Sequence, residues 1–336
     1  MKALIYTGAC QVEMGEIAPP EASAGEAVVD IAYCGICGSD MHAWAGHDPR
    51  RVPPLVLGHE VAGIARDGKH KGKPVAINPL VTCGECEYCQ SGRVHLCPDR
   101  EMLGMRKHGG FTEAVAIAEG NLTPLPTTLP LATAALAEPL ACAIHAVKLF
   151  PQASKTAPLV IIGGGAIGLL SALVAAHHGF TPIEVLDTNG GRRQAITDLG
   201  HDAITARDPT TSPPKPDSVA YVLDAVGSGI TRGLASQLVA AGGCIVHIGL
   251  QDNINDTGNN KGLDTRRLTL HEITFIGSYC YTPSDFKEAV GLLGTGVIAA
   301  GGWVDIRPLA RGAASFQDIH AGHAPPKIIL ANGGSE

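Results

Sequence analysis

The sequence predicts an α/β fold in which an irregular, discontinuous β domain is interrupted by a doubly wound parallel-sheet domain. Short strands separated by Gly and Pro turns occupy residues 1–135. From Pro158 to Ser278, apolar strands alternate with helical segments, the pattern of βαβ units in a parallel sheet. The tail returns to mixed structure. We therefore expect residues 1–140 and 281–336 to form one domain and residues 141–280 the other.

Individual strands and helices can be assigned from the same patterns. The first part has alternating runs typical of strands: "KALIY", "EAVVDIAYCG", "VAGIARDG", "KPVAINP" and "FTEAVAIAEG". In the middle part, "LVIIGGG", "PIEVLD", "SVAYVLDAVG", "CIVHIGL" and "EITFIGSY" are predicted strands, with helices in "AIGLLSALVAAHHG", "GRRQAITDLG" and "ITRGLASQLVAAG". The tail is predicted to contain helices in "PSDFKEAVGLLGTG" and "AASFQDIHAG" and a closing strand in "KIILAN".

The composition narrows the class of protein. The chain has 336 residues, 45% of them hydrophobic, which suffices for a core in each of two domains. A net charge of −7 without a long Lys/Arg run argues against nucleic acid or an anionic membrane as a partner. The N-terminus lacks the features of a signal peptide, and three glycines divide the apolar stretch 157–176. We expect no membrane span and a cytoplasmic location.

A glycine-rich turn predicts a dinucleotide site. Gly163, Gly165 and Gly168 form G-x-G-x-x-G between an apolar strand and a helix, with Ile167 inside the turn. The first Gly permits the tight turn, the second lets the backbone approach a pyrophosphate, and the third lets helix and strand pack closely. The phosphates would face the free N–H groups at the start of the helix. We expect these four residues to contribute to cofactor binding.

The residue that closes the next strand bears on the choice of cofactor. Asp187 lies 19 residues beyond Gly168, where a carboxylate accepts hydrogen bonds from the adenosine ribose and repels a 2′-phosphate. This favours NAD over NADP. Arg192 and Arg193 keep NADP as the alternative, since either side chain could reach its 2′-phosphate. Arg192 is included among the expected cofactor-binding residues.

Four cysteines within fifteen residues predict a closed metal site. They are Cys83, Cys86, Cys89 and Cys97, in the arrangement C-x₂-C-x₂-C-x₇-C. Four thiolates can surround one Zn²⁺ tetrahedrally and leave no position for water, which is typical of structural zinc. An iron–sulfur cluster is the alternative, whereas disulfides are unfavourable in a chain without an export signal.

Two further stretches, "CGICGSDMH" and "GHE", pose a choice between a redox pair and a metal site. Cys34 and Cys37 are spaced as C-x-x-C, which also occurs in thiol–disulfide enzymes. His59 in the second stretch offers an imidazole, a common zinc ligand, and needs a metal partner. The metal site is favoured, with Cys34 as a small buried residue.

Together these motifs resemble the zinc-dependent medium-chain alcohol dehydrogenase family, and within it the polyol branch that includes sorbitol dehydrogenase. "CGICGSDMH", "LGHE", the four-cysteine segment, "AEPLACAIHA", "IIGGGAIGLL" and "EVLD" appear in the order found in that family, over nearly the whole chain. The resemblance implies a discontinuous GroES-like β domain and a Rossmann domain between its parts.

The resemblance also implies a catalytic zinc and its ligands. Cys37 and His59 would bind this zinc together with Glu138, which stands where primary-alcohol members commonly have cysteine. Glu60 would be a supporting carboxylate or an exchangeable ligand, and it is counted among both the catalytic and the metal residues. Three protein ligands leave one coordination position open for water or substrate.

Proton transfer is assigned by the same resemblance. Ser39 would hydrogen-bond the substrate oxygen, and His42 would carry the proton toward solvent. Asp40 would accept the remaining N–H of His59 and fix its tautomer.

The expected activity is reversible oxidation of a secondary hydroxyl in a polyol or other alcohol, with NAD and two zinc ions per chain. An L-threonine 3-dehydrogenase is the alternative enzyme, and a non-catalytic zinc- and nucleotide-binding protein is the alternative from another class. By analogy with the family we expect a homo-oligomer, a tetramer rather than a dimer.

Overall fold

A computed structural model describes residues 1–151, 155–250 and 262–333. The chain divides into two compact units. The first contains Met1–Ala141, Tyr281–Ala300 and the chain from Val304 onward, and the second contains Cys142–Cys280 with Gly301–Trp303.

The described residues form eighteen strands and ten α-helices. The strands are β1 Lys2–Gly8, β2 Gln11–Glu16, β3 Glu26–Gly35, β4 Leu55–Val56, β5 Glu60–Ala65, β6 Pro74–Ile77, β7 Leu80–Val81, β8 Glu101–Met102, β9 Ala114–Ala118, β10 Leu122–Pro124, β11 Leu159–Ile162, β12 Ile183–Leu186, β13 Ile204–Arg207, β14 Val219–Asp224, β15 Val239–His247, β16 Thr274–Gly277, β17 Val304–Pro308 and β18 Lys327–Ala331. The helices are α1 Gly38–Trp44, α2 Glu87–Gln90, α3 Leu131–Ala134, α4 Ala137–Lys148, α5 Ala166–His177, α6 Gly190–Thr197, α7 Gly229–Leu238, α8 Thr265–Leu270, α9 Pro283–Gly294 and α10 Gly312–His320.

The second unit contains a six-stranded sheet in which every described pairing is parallel. Its strand order is β13-β12-β11-β14-β15-β16, or 3-2-1-4-5-6 when the strands are counted from β11. This is the order of a doubly wound dinucleotide-binding sheet, and it reverses beside β11. The predicted parallel-sheet fold is confirmed, and the glycine-rich turn follows the strand at the reversal point.

One predicted helix is too long. The segment "ITRGLASQLVAAG" is helical only as far as Leu238, and Val239 begins β15. Val239 is fully buried and pairs with Val219 of β14, so sheet pairing overrides the helix propensity of the following alanines. Gly242, at φ +72°, lies within the same strand and disfavours a continued helix.

The first unit is built on a seven-stranded sheet in which β3 is the central strand. β3 pairs with β5, β9 and β18, all antiparallel. A three-stranded sheet, in the order β2-β1-β4, and the pair β7-β8 complete its strands. Because β18 comes from the tail, the last strand of the chain adds directly to a sheet formed by the first part.

Strand register brings distant residues together at the end of β3. Gly35 pairs with Glu60 at the start of β5 and with Ile329 of β18. The residues just after β3, just before β5 and at the start of β18 therefore lie side by side. These are Cys37, His59 and Lys327.

The apolar stretch 157–176 forms β11 and the twelve-residue α5. Within the parts of the chain described above, none of the helices combines the length and the apolar character needed to cross a bilayer.

Candidate metal centres and nucleotide site

Cys37, His59 and Glu60 form a compact group of potential metal ligands. One ligand atom from each residue lies within 4.8 Å of those from the other two. His59 and Glu60 are buried, and Cys37 is partly exposed. Cys37, directly before α1, thus lies close to His59, directly before β5, and to Glu60, the first residue of β5, an arrangement that depends on the pairing of β3 with β5.

Asp40 ties the two segments of this group together. Its carboxylate accepts hydrogen bonds from the backbone N–H of Cys37 at 3.0 Å and of Gly58 at 3.2 Å. His59 Nδ1 lies 3.4 Å from the same carboxylate, while His59 Nε2 faces Ser39 Oγ at 3.4 Å. Burial alone would raise the pKa of Asp40, but His59 and Arg51 hold it below its usual value. Asp40 therefore remains ionised and orients the imidazole.

Glu138, in the first turn of α4, is buried beside the group but is not one of the three residues that fall within 4.8 Å of one another. Burial is the main cause that raises its pKa to about 7, and Glu60 raises it further. His59, Lys327 and a hydrogen bond from Tyr281 act in the opposite direction. Two buried carboxylates, those of Glu60 in the group and of Glu138 beside it, thus lie at this centre.

Lys327 is a residue of this centre that the sequence did not reveal. Its Nζ contacts Glu60 and donates a hydrogen bond to the carbonyl of Ile36 at 2.9 Å, and both charged side chains are almost fully buried. Burial lowers the pKa of Lys327, but Glu60 and Cys37 raise it above its ordinary value. As the first residue of a closing strand, Lys327 gave no sequence signal of burial.

The residues of this centre fit a bound cation. Burial lowers the pKa of His59, yet Asp40 and Cys37 raise it well above its usual value, so the protein stabilises positive charge there. Oε1 of Glu60 is buried and has no hydrogen-bond partner among the described residues. Sulfur, imidazole nitrogen and carboxylate oxygen are the donors that catalytic zinc sites use.

The residues proposed for proton transfer lie on α1, beside this group. Ser39 lies within reach of the imidazole as described, and His42 is half-buried on the same helix. Burial, helped by His47 and Arg51, lowers the pKa of His42. Neutral imidazole can accept a proton and pass it on.

Cys34 lies in the hydrophobic core of the first unit. Burial, together with Asp40 and Glu60, raises its pKa well above the usual value. A reactive redox thiol has a lowered pKa and is accessible to solvent. Cys34 has neither property, which argues against a redox pair with Cys37.

The four-cysteine lobe also fits its predicted metal. Cys83, Cys86, Cys89 and Cys97 place their sulfurs within 4.8 Å of one another, with Cys83 Sγ 3.5 Å from Cys97 Sγ and 3.9 Å from Cys89 Sγ. Sulfurs bound at ~2.3 Å to a tetrahedral zinc lie about 3.8 Å apart.

The thiols of the lobe are unequal in acidity. The backbone N–H groups of Glu85 and Cys86 lower the pKa of Cys83 to about 7. The backbone N–H of Cys89 favours ionisation of Cys86, but burial and the neighbouring sulfurs raise the pKa of Cys86 to about 12. Cys83 therefore ionises readily whereas Cys86 resists ionisation, and a bound cation would favour the thiolate form of both.

The glycines of the nucleotide turn play distinct structural roles. Gly163 has φ +99°, a conformation that favours glycine. A Cβ on Gly168 would lie 1.7 Å from the carbonyl oxygen of Gly163, so the helix packs directly on the turn. A Cβ on Gly165 would meet nothing within 4 Å. Ile167 lies in the first turn of α5, partly exposed.

Asp187 and Arg192 line a cavity of about 1370 Å³ in the second unit, together with Gly163. Asp187 accepts hydrogen bonds from the backbone N–H of Gly164 and of Asn189, both at 2.7 Å. Arg192 Nη1 lies 3.7 Å from Asp187, and Arg193 pairs with Asp208 at 3.2 Å. The buried carboxylate is thus fixed at the carboxyl end of β12, beside the glycine turn.

Two protein families match the chain. The Alcohol dehydrogenase GroES-like domain matches residues 23–127, and Zinc-binding dehydrogenase matches residues 166–295. These matches cover Cys37, His59, Glu60 and the four cysteines in the first unit, and most of the parallel-sheet unit.

Relatives match over most of their own length. The chain is 33% identical to the L-galactonate-5-dehydrogenase of Escherichia coli (strain K12), over 82% of each chain. It is 29% identical to the D-arabitol-phosphate dehydrogenase of Enterococcus avium, over 96% of this chain and 94% of the relative. The crystal structure of galactitol-1-phosphate dehydrogenase from Escherichia coli superposes with a TM-score of 0.87 at 25% identity, over 99% of this chain and all of the other. The predicted combination of a GroES-like domain and a Rossmann domain is confirmed.

Proposed function

Because the chain belongs to the zinc-dependent medium-chain alcohol dehydrogenase family, in its polyol branch, we propose that it oxidises a secondary hydroxyl of a polyol or sugar-acid substrate reversibly to the ketone. The observation that carries this proposal is the group of Cys37, His59 and Glu60, in which only Cys37 is partly exposed, with the buried Glu138 beside it. The relatives named above act, by their names, on arabitol phosphate, galactonate and galactitol 1-phosphate, all compounds with several hydroxyl groups.

The residues of the first unit would hold two zinc ions. Cys37 and His59, with Glu138 or Glu60 as the oxygen ligand, would hold the catalytic ion, and the four cysteines of the lobe would hold the structural one. When bound, zinc supplies a Lewis acid that lowers the pKa of the substrate hydroxyl, and NAD supplies the hydride acceptor. Lys327 balances the charge of Glu60, and Asp40 orients His59.

We assign removal of the substrate hydroxyl proton to two residues of α1, Ser39 and His42. Ser39 would hydrogen-bond the substrate oxygen, a role supported by the 3.4 Å distance from its Oγ to Nε2 of the proposed ligand His59. His42 would receive the proton and release it toward solvent, because the neutral form is favoured at its half-buried position.

For the cofactor we propose NAD rather than NADP, bound by the glycine turn and Asp187. The fixed carboxylate of Asp187 in the cavity would repel a 2′-phosphate. Arg192 is paired with this carboxylate, which reduces its availability for a phosphate group.

A substrate panel tests this function. Polyols, polyol phosphates, sugar acids, simple secondary alcohols and L-threonine are each assayed with NAD and with NADP, and bound zinc is counted. We expect turnover with a polyol-type substrate and NAD, and about two zinc ions per chain. Preference for threonine would favour the alternative enzyme. One zinc per chain and no turnover on any substrate would favour a non-catalytic protein.

We also propose a homo-oligomer, a tetramer rather than a dimer, in the cytoplasm. None of the ten cysteines, all of which lie in the described residues, forms a disulfide, and the two metal sites need reduced thiols. Light scattering after size-exclusion chromatography gives the number of subunits.

A further inference from the structure

A second residue missed by the sequence lies next to the catalytic group. The guanidinium of Arg51 is almost fully buried, with 1% of its side chain exposed. Nε donates to the carbonyl of Gly104 at 2.8 Å, and Nη1 donates to the carbonyl of Ser39 and to the carboxylate of Asp48, both at 2.9 Å. Nη2 donates to Ser39 Oγ at 3.3 Å.

These contacts hold the guanidinium rigidly. A buried charge is costly unless it is paired and hydrogen-bonded, and here one carboxylate and three neutral oxygens meet it. Asp48 is itself buried and also binds Arg50 from the exposed side. Arg51 therefore links α1 to the loop segments that contain Asp48 and Gly104. It donates hydrogen bonds to both the backbone carbonyl and the side-chain oxygen of Ser39.

The contact with Ser39 Oγ has a defined polarity. A guanidinium has donors only, so the serine oxygen must accept this hydrogen bond. A hydroxyl has one proton to donate, and that proton remains available to a second partner of Ser39 Oγ. His59 Nε2, which belongs to the proposed metal centre, lies 3.4 Å from Ser39 Oγ.

We propose that Arg51 is a positioning residue that fixes Ser39 as a hydrogen-bond donor toward the substrate oxygen. This inference rests on the dehydrogenase function proposed above. With Arg51 in place, the serine hydroxyl donates to the alkoxide oxygen that remains once the substrate hydroxyl has given up its proton toward His42, and the adjacent positive charge strengthens that hydrogen bond. The hydrogen bond is stronger to the alkoxide than to the neutral bound alcohol, so its loss lowers kcat more than it changes KM.

The chain offers a matched control for a test. Arg51→Met removes the donors to Ser39, whereas Arg50→Met removes a neighbouring arginine that binds the same Asp48. We expect kcat to fall roughly tenfold or more in Arg51→Met with KM and zinc content nearly unchanged. Arg50→Met should retain kcat within about twofold. Equal kcat in the two variants would overturn the proposal.

A double-mutant cycle with Ser39→Ala separates this role from a general structural one. If Arg51 acts through Ser39, the variant Ser39→Ala/Arg51→Met is no slower than Ser39→Ala alone. If the two losses multiply, Arg51 acts independently and the inference is wrong. Should Arg51→Met fail to fold, Arg51→Lys, which keeps the charge but lacks the forked donors, takes its place in the same cycle.

A crystal structure of the zinc-loaded Arg51→Met protein provides a readout that does not depend on turnover. We expect the Ser39 side chain to leave its wild-type rotamer, and an unchanged rotamer counts against the proposal. Absence of turnover in the wild-type protein would instead contradict the dehydrogenase function itself, so the two failures are distinguishable.

Discussion

At the residue scale, the two cysteines of "CGICGSDMH" have opposite environments although they are three positions apart. The side chain of Cys34 lies in the apolar core, whereas that of Cys37 lies close to His59 and Glu60. The difference arises because β3 ends at Gly35, between the two cysteines, and Cys37 directly precedes α1. The spacing of the cysteines is therefore a consequence of the strand end and does not create a redox pair.

Replacing these two cysteines separately should give contrasting results. Cys37→Ala removes a proposed metal ligand, so we expect turnover to fall by at least about a thousandfold and one zinc to be lost per chain. Cys34→Ala removes one buried sulfur and should retain turnover, with a stability loss of about 1–2 kcal/mol. Steady-state rates and metal analysis of both variants check this, and full activity in Cys37→Ala would show that the ligand assignment is wrong.

The buried pair of Lys327 and Glu60 makes a second prediction at this scale. Lys327→Met leaves the Glu60 carboxylate without its cation, which should lower the free energy of unfolding by about 3–5 kcal/mol. The double variant Glu60→Gln/Lys327→Met removes both charges and should recover part of that loss. Urea denaturation of the metal-free proteins measures both effects. A double variant no more stable than Lys327→Met would argue that the pair contributes by shape alone.

At the element scale, the glycine turn shows how one loop serves both folding and binding. Gly168 lets α5 pack on the turn, whereas the space at Gly165 is open in the protein alone. The same residue type thus satisfies an internal contact at one position and leaves room for a ligand at the other.

Alanine substitutions should separate these roles. Gly168→Ala forces its Cβ onto the Gly163 carbonyl, so we expect a loss of about 1–3 kcal/mol or more in stability. Gly165→Ala should keep the stability of the ligand-free protein but weaken NAD binding roughly tenfold or more. Thermal unfolding and calorimetric titration with NAD measure the two quantities. Equal NAD affinity in Gly165→Ala and the wild type would contradict the proposed pyrophosphate contact.

Helices and strands could be predicted from the sequence where their pattern of apolar residues is set by neighbours in the chain. The strand–helix alternation that includes β11, α5 and β12 follows from short-range pattern and turn residues. The end of α7 did not, because Val239 joins β15 through pairing with a strand twenty residues earlier. Strand pairing at that distance leaves no local signature in the sequence.

At the scale of the whole molecule, the first unit carries both proposed metal sites with different chemistry. The catalytic group mixes sulfur, nitrogen and oxygen donors and is largely buried, whereas the group in the lobe consists of four sulfurs. Removal of a ligand is therefore expected to reduce turnover at the catalytic group and stability at the lobe.

Loss of a lobe ligand should therefore affect the fold before it affects the chemistry. In Cys89→Ser we expect zinc to fall from about two to about one per chain and the unfolding temperature to drop by several degrees, because a structural zinc contributes folding free energy directly. Turnover measured well below the unfolding temperature should be retained in large part. Metal analysis and thermal unfolding check this, with Cys37→Ala as the comparison, which should lose turnover without a similar drop in unfolding temperature.

The sequence by itself determined the parts whose residues are close in the chain: the four-cysteine lobe, the glycine turn with Asp187, and the alternation of strands and helices. Only the tertiary structure decided which distant residues complete the catalytic group. Lys327 reaches Glu60 because β18 pairs with β3, and Arg51 reaches Ser39 by folding back onto α1. Both are charged residues that would ordinarily be exposed, and burial becomes favourable for them only when the partners that compensate their charge are brought there by the fold.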